Sequence, residues 1–340
     1  MQRCLQLAAL GLGKTAPNPL VGAVVVWKDQ IIGEGYHHAA GQPHAEVEAI
    51  RSVDDKSKLS ESCIYVNLEP CNHTGKTPPC TELILEHKIP KIIVGQTDPN
   101  PEVSGSGIRR LRENKLEVIE GVLQKEALDL NKRFNIFHTK KRPFILLKWA
   151  ETKDGFIDVF REPGQAANPA WITDEYCRML VHKWRTEEPS ILVGTRTAIL
   201  DNPKLNIRAW SGKNPLRLVL DRSGKLPSDL NLFDQSQDTW VFSDQKKDSK
   251  KNLKYYQIPS ETDDLEYLLN TLYKENIQSI MVEGGSELLS SFIQNGLWDE
   301  ARVFVGPGSF GKGVAAPQFS HPRRSQSSVG NSTLSIYRNF

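Results

Sequence analysis

Two α/β domains in tandem are the fold class this sequence predicts, and three observations predict it. The chain has 340 residues, long for a single hydrophobic core. Short apolar runs bounded by Gly, Pro, Asn and Asp alternate with amphipathic helical stretches in both halves. A basic, proline-ended run, His138-Thr139-Lys140-Lys141-Arg142-Pro143, interrupts that alternation and reads as a solvated connector. The expected division is 1–138 and 139–340.

Composition narrows the class. Apolar content of 39%, charged content of 25% and a formal net charge of +2 describe an ordinary soluble globular protein. That charge balance gives no reason to expect a nucleic-acid or membrane-surface partner, and no stretch approaches the roughly 18 apolar residues of a membrane span. The odd count of five cysteines argues against a disulfide scaffold and for the reducing cytoplasm. Cys4, Cys63 and Cys177 read as core thiols, whereas Cys71 and Cys80 lie in a polar, proline-bearing loop.

In the first half, residues 1–10 form a short amphipathic helix, broken by Gln6 and soon meeting Gly11 and Gly13, which makes a poor signal peptide. Thr15-Ala16-Pro17-Asn18-Pro19 is a loop, because two prolines around an asparagine forbid helix. Residues 21–27 and 30–35 read as a hairpin across Lys28-Asp29. A helix starts at Pro43-His44-Ala45-Glu46, with a proline at its start and acids in its first turn. Strands at 63–68 and 91–95 flank a helix over 80–87, giving a three-layer α/β arrangement. Residues 111–121 supply a short helix and strand, and 123–137 one amphipathic helix. Gly105-Ser106-Gly107 lacks the third glycine and preceding strand of a dinucleotide fingerprint and reads as a turn.

The most chemical stretch runs from His44 to Cys80. One histidine, two cysteines and a carboxylate two residues after the histidine are the parts of a catalytic zinc site: three protein ligands, an open position, and an acid/base that is not a ligand. The zinc deaminases of nucleobases share this H-x-E…P-C…C pattern. A structural zinc with His73 as fourth ligand is the blander alternative, in which Glu46 is dispensable.

Asn18-Pro19-Leu20-Val21-Gly22, His44-Ala45-Glu46, the run from Pro70 to Cys80, Asp98-Pro99-Asn100-Pro101 and Gly105-Ser106-Gly107 together resemble the bifunctional deaminase–reductase family of riboflavin biosynthesis. The eight-residue spacer between Cys71 and Cys80, where many deaminase relatives have two, narrows the match. The resemblance implies a cytidine-deaminase-like α/β/α domain with Zn2+ on His44, Cys71 and Cys80, and Glu46 shuttling the proton. It places Asn18, His37, His73 and Lys76 against the pyrimidine and ribose phosphate.

The second half alternates again. Strands are expected at 144–150, 190–194, 216–220, 239–243 and 279–283, and helices at 174–187, 264–275 and from near Glu287, giving a largely parallel sheet. Val282-Glu283-Gly284-Gly285-Ser286 joins a buried strand to a helix N-terminus, a place where backbone amides approach a phosphate. With Trp171-Ile172-Thr173, Gly194-Thr195-Arg196-Thr197, Leu200-Asp201-Asn202-Pro203 and Leu205-Asn206-Ile207-Arg208, this half resembles the reductase part of the same family. That implies a dihydrofolate-reductase-like fold taking NADPH. The implied cofactor contacts are Ala150, Trp171, Thr197, Asp201 and Gly285, Ser286, Glu287, Leu288, Leu289, Ser290 and Ser291. The implied substrate contacts are Lys148, Arg185, Leu205, Arg208 and Glu283, with Lys148 and Asp201 as catalytic groups and Arg185 and Arg208 suited to bidentate phosphate binding.

The sequence departs from the family pattern at Pro169, where relatives often carry a small hydroxyl residue, and at Phe156-Ile157-Asp158. A typical member also has a few more residues ahead of the first helix, which implies an internal start at Met1. The expected activity is hydrolytic deamination of a diaminopyrimidinone ribosylamino phosphate, then NADPH-dependent reduction of its ribosyl group to ribityl, by a cytoplasmic homo-oligomer. The alternatives are a nucleoside or tRNA deaminase fused to an unrelated reductase, and a structural zinc module for protein interaction.

Overall fold

The computed structural model describes residues 1–73, 78–101, 103–160, 170–318 and 320–340. Two compact units divide it, Met1–Arg142 and Pro143–Phe340.

The first unit opens with α1 (Gln2–Ala9), then β1 (Gly22–Trp27) and β2 (Gln30–Tyr36), a hairpin whose turn residues Lys28 and Asp29 both take positive φ. Next come α2 (Ala45–Arg51), β3 (Cys63–Leu68), α3 (Cys80–Glu86), β4 (Lys91–Gln96), α4 (Ser106–Glu113), β5 (Glu117–Ile119), α5 (Gln124–Leu130) and α6 (Lys132–Lys140). The sheet order is β2-β1-β3-β4-β5. β1 runs antiparallel to β3, with Ala23 opposite Val66, so the start of β1 and the end of β3 share one edge. β3, β4 and β5 are parallel. Ile64, Val66, Ile92 and Val94 are fully buried in the core of this sheet, each contributing about 1.5–3 kcal/mol by leaving water. Gly35 on β2 lets α2 sit directly on the hairpin; a Cβ there would lie 2.4 Å from Ala49 N. That close approach fixes the start of α2, where His44 is the N-cap.

Two expectations fail here for identifiable reasons. Residues 123–137 are two helices, because Asn131 turns its amide inward. Its Oδ1 accepts from Leu20 N at 2.8 Å and its Nδ2 donates to Leu20 O at 2.9 Å. A buried side chain with those bonds competes with the helical ladder and breaks it. Gly105-Ser106-Gly107 is not a free-standing turn: Gly105, at φ 73°, is the N-cap of α4, and Ser106 and Gly107 are its first residues. α6 also runs through the expected boundary at His138, and the units part at Arg142/Pro143.

The second unit comprises β6 (Phe144–Glu151), β7 (Phe156–Asp158), α7 (Glu175–Glu187), β8 (Ser190–Gly194), α8 (Thr195–Asp201), β9 (Leu216–Leu220), β10 (Thr239–Ser243) and β11 (Leu253–Gln257). It continues with α9 (Asp264–Lys274), β12 (Ser279–Gly284), α10 (Ser286–Gln294), β13 (Glu300–Val305), β14 (Val314–Ala315), β15 (Arg323–Val329) and β16 (Ser332–Arg338). Its main sheet has the order β11-β10-β9-β8-β12-β6-β13-β16-β15. Pairing is parallel from β11 to β13, and β16 and β15 add an antiparallel hairpin. Asp174 and Asp263 cap α7 and α9 by accepting from Cys177 N and Glu266 N.

Two candidate active sites

In the first unit, α2, the β3–α3 loop and α3 converge. His44 caps α2, Cys71 follows β3, and Cys80 opens α3. The His44 Nδ1 lies 3.3 Å from Cys80 Sγ and 3.5 Å from Cys71 Sγ, and the three ligand atoms all lie within 4.8 Å of one another. Glu46, two residues into α2, is 3% exposed. His37 is buried, and its ring meets that of His44 edge-on at 5.7 Å. Its Nδ1 sits 3.0 Å from Pro43 O and its Nε2 3.0 Å from Asn18 Nδ2. Those partners select the neutral Nδ1–H tautomer, with Nε2 accepting from Asn18. His37 therefore stands behind Asn18 and orients its amide. Asn67 steadies the same loop, accepting from Gly22 N and donating to Leu20 O. His73 is exposed, and Lys76 lies outside the described residues.

Charge here is unevenly held. Burial, aided by the negative charge at Cys71, pushes the Glu46 carboxyl up to about 7. The hydrogen bond from Cys80 and the nearby His44 pull the Cys71 thiol down to about 4 against burial, while Cys80 is raised well above the usual thiol range. Burial lowers His37, consistent with the neutral ring.

The second unit holds a cavity of about 910 Å³ at the carboxyl ends of β6, β8, β9 and β12. Parallel sheets bind ligands there, and the size suits a cofactor with its substrate. Its wall includes Lys148, Ala150, Trp171, Arg185, Thr197, Asp201, Arg208, Glu283, Gly285, Ser286, Glu287, Leu288, Leu289 and Ser291. Ser290 is not in the wall. Neither is Leu205, which is 2% exposed with φ 49°. Pro169 lies outside the described residues.

Three charges meet in this wall. Arg185 donates from Nε to Glu283 Oε1 at 2.8 Å and from Nη2 to Glu283 Oε2 at 2.9 Å; Lys148 Nζ is 3.8 Å from Glu283 Oε2. Burial alone would raise Glu283, but the two cations win and hold it at about 2. Burial lowers Lys148, with Glu283 opposing. The bidentate face of Arg185 is therefore engaged by Glu283, and its Nη1 by Asn206 O at 3.0 Å. The two-arginine phosphate clamp expected from the sequence is not what the structure presents; Arg208 is the exposed member of the pair. The sequence reading missed Arg178, Val181 and His182, which share the cavity-facing side of α7 with Arg185 at helical spacing. His182 accepts from Arg208 N at 3.4 Å, and burial with the neighbouring arginines pushes it down to about 4.

Known proteins match both units of the chain. The model of the cytidine and deoxycytidylate deaminase zinc-binding region matches residues 1–96, and that of the RibD C-terminal domain matches residues 143–332. The riboflavin biosynthesis protein RibD of Synechocystis is 40% identical over 323 residues, covering 93% of this chain and 86% of the relative. The chain belongs to the RibD family. RibD of Escherichia coli is 34% identical over 351 residues, covering 94% of this chain and 93% of its own. The Thermotoga maritima diaminohydroxyphosphoribosylaminopyrimidine deaminase/5-amino-6-(5-phosphoribosylamino)uracil reductase superposes with a TM-score of 0.90 at 37% identity, covering 99% of this chain and 97% of its own. Acinetobacter baumannii RibD gives 0.88 at 31% identity, with the same coverage.

The residues present fit the two groups that RibD enzymes use. Zinc with ligands at 2.0–2.3 Å in tetrahedral array separates them by about 3.6 Å, and His44 Nδ1 already stands 3.3 and 3.5 Å from the two sulfurs. In the reductase cavity, α8 and α10 begin at Gly194 and Gly285 with no side-chain cap, and both helix starts are in the wall. Two uncapped amide ends in the wall of one cavity suit a dinucleotide pyrophosphate.

Proposed function

We propose that this chain deaminates a diaminopyrimidinone ribosylamino phosphate in its first unit and reduces the ribosyl group of the product to ribityl with NADPH in its second. The observation that carries the reading is the pairing, on one RibD chain, of the His44–Cys71–Cys80 cluster beside the protonatable Glu46 with the Lys148–Glu283–Arg185 cavity.

His44, Cys71 and Cys80 hold the zinc, which supplies a Lewis acid that brings water to nucleophilic strength near neutral pH. Glu46 takes a proton from the attacking water and gives it to the ring nitrogen as the C–O bond forms, then carries the proton of the new hydroxyl to the amine, which leaves as ammonia when the C–N bond breaks. A carboxyl enclosed at the start of α2, two residues from His44, is placed to serve in both directions. Asn18, held by His37, offers amide donor and acceptor capacity to the pyrimidine edge. His73 and Lys76 are the proposed phosphate contacts, on the loop between the two cysteines.

In the second unit, Ala150, Trp171, Thr197, Asp201 and the start of α10 hold NADPH, which supplies the hydride. Glu283 keeps Lys148 within reach of the reacting sugar while Arg185 fixes Glu283. Lys148 and Asp201 are the groups available to donate the proton that accompanies hydride arrival. Arg208, steadied at its backbone by His182, is the phosphate contact. Free thiols at all five cysteines support a cytoplasmic setting. The exposed seven-residue edge strand β15 supports a homo-oligomer.

The test is a single assay with the diaminopyrimidinone phosphate in which ammonia release and NADPH oxidation are followed separately. Both are expected, ammonia first. Asp201→Ala is expected to stop NADPH oxidation and leave ammonia release intact. Ammonia without any NADPH oxidation by the unaltered chain would remove the second activity.

A further inference from the structure

Glu69 is a buried carboxylate, 4% exposed, between the end of β3 and the Pro70-Cys71 pair. Four backbone amides converge on it. Its Oε2 accepts from Asp98 N at 3.1 Å and Gly105 N at 2.9 Å; its Oε1 accepts from Gly107 N at 2.9 Å and Ile108 N at 3.2 Å. Its own amide donates to Gln96 O at 2.9 Å, so main chain and side chain are tied to the β4–α4 connection at once. A buried carboxylate persists only where its lone pairs are satisfied. Here the β4–α4 connection and the first turn of α4 satisfy it together, with Gly107 and Ile108 donating from the positive end of the helix.

The fit leaves no slack. A Cβ on Gly107 would lie 2.1 Å from Pro70 O, so α4 is seated directly on the peptide that leads into Cys71. The next residue is strapped the same way: Asn72 Nδ2 donates to Ser106 O at 3.3 Å, and Asn72 Oδ1 accepts from Thr81 Oγ1 at 3.0 Å. Thr81 N in turn donates to Cys71 O at 3.2 Å. The segment holding the Cys71 sulfur near His44 is thus fixed through Glu69 to a helix that supplies no ligand of its own.

We propose that Glu69 is a positioning residue for the metal site. By docking into the amide cradle at the start of α4, it sets the place of Cys71 relative to His44 and Cys80. This rests on the zinc reading given above. A neutral amide of the same size cannot do the job: Glu69→Gln keeps one acceptor oxygen and points an NH2 at two backbone N–H groups.

The experiment measures zinc occupancy of the full chain against a competing chelator, well below the melting temperature, together with the visible absorption of the cobalt-substituted protein. Unaltered protein is expected to bind one zinc and give the intense bands of tetrahedral cobalt with two thiolates. Glu69→Gln is expected to bind zinc about 10- to 100-fold more weakly, the range for losing a residue that orients a ligand, with changed sulfur-to-cobalt bands. If that variant does not fold, Glu69→Asp carries the test, since it keeps the carboxylate but is one methylene too short to reach both pairs of amides. Its zinc affinity should fall between the two. A variant that melts earlier but keeps zinc affinity and cobalt spectrum unchanged makes Glu69 a loop stabiliser and overturns the inference. Unaltered protein that binds no zinc overturns the zinc reading itself, and this inference with it.

Discussion

Each unit buries a glutamate at its centre, and the two are held in opposite states. Among the described residues no arginine or lysine pairs with Glu46, and burial raises it to about 7. Glu283 is nearly as enclosed, its side chain 9% exposed, yet Arg185 and Lys148 hold it at about 2. Solvent exclusion is common to both; the difference lies in what faces them. A carboxyl enclosed beside His44 and Cys71, with no cation gripping it among the described residues, is prepared to move protons. A carboxylate gripped by a guanidinium fork is a fixed counter-ion, and its service is to hold Lys148. The same residue type is thus a reagent in one half and a scaffold in the other.

The largest expected effect breaks the first side of this comparison. Glu46→Gln removes the transferable proton without changing volume, and should lower the rate of ammonia release by about 10²- to 10⁴-fold. Zinc content and reduction of pre-deaminated substrate should be unchanged. Full deamination with zinc bound would return the cluster to a structural zinc.

Arg185→Met attacks the other side. Among the described residues it leaves Lys148, at 3.8 Å, as the remaining ion-pair partner of Glu283. Breaking a buried pair from one end costs about 3–5 kcal/mol, so the melting transition of the second unit should fall while zinc affinity of the first is retained. A stability unchanged by Arg185→Met would mean that the grip on Glu283 contributes little.

Acid should expose the same grip. Glu283 lies near 2 when folded against a reference of 4.5. Its carboxylate is favoured by folding, so its contribution is complete above about pH 4.5 and is lost as pH falls towards 2. Integrated over that window it is about 3 kcal/mol. Urea midpoints of the second unit should fall steeply across it, and the slope should flatten in Glu283→Gln.

The unequal visibility of the two sites in the sequence has the same physical root. His44, Glu46, Cys71 and Cys80 come from α2, the loop after β3 and α3, elements close together in the chain, so their spacing is close to their geometry. Lys148, Arg185 and Glu283 are far apart in the chain and meet only because β6 and β12 are neighbours in the sheet with α7 beside them. No local pattern announces that meeting, and a helix face of Arg178, His182 and Arg185 looks like any solvated stripe until the cavity is seen. Elements were hidden where tertiary bonds overrode local preference. Asn131 splits a helix to reach Leu20, and Gly107 serves Glu69, each pairing with a residue distant in sequence. β15 escaped because Arg323, Arg324, Ser325, Gln326, Ser327 and Ser328 are all exposed, leaving no alternation to read.

The smallest effect is the one that separates roles within the Glu283 cluster. Lys148 is largely enclosed, its side chain 16% exposed and its charge disfavoured there, and it stands 3.8 Å from a carboxylate already satisfied by the Arg185 fork at 2.8 and 2.9 Å. Lys148→Met keeps most of the volume and removes the least favoured charge of the three, so stability should change by at most about 1 kcal/mol, in either direction. NADPH oxidation should nevertheless fall by at least about 10²-fold, the size of a lost general acid. A residue cheap for the fold and indispensable for turnover acts on substrate; one whose loss lowers both in proportion is another counter-ion. Comparing the two measurements on Lys148→Met and Arg185→Met decides which cation Glu283 serves and which one holds it.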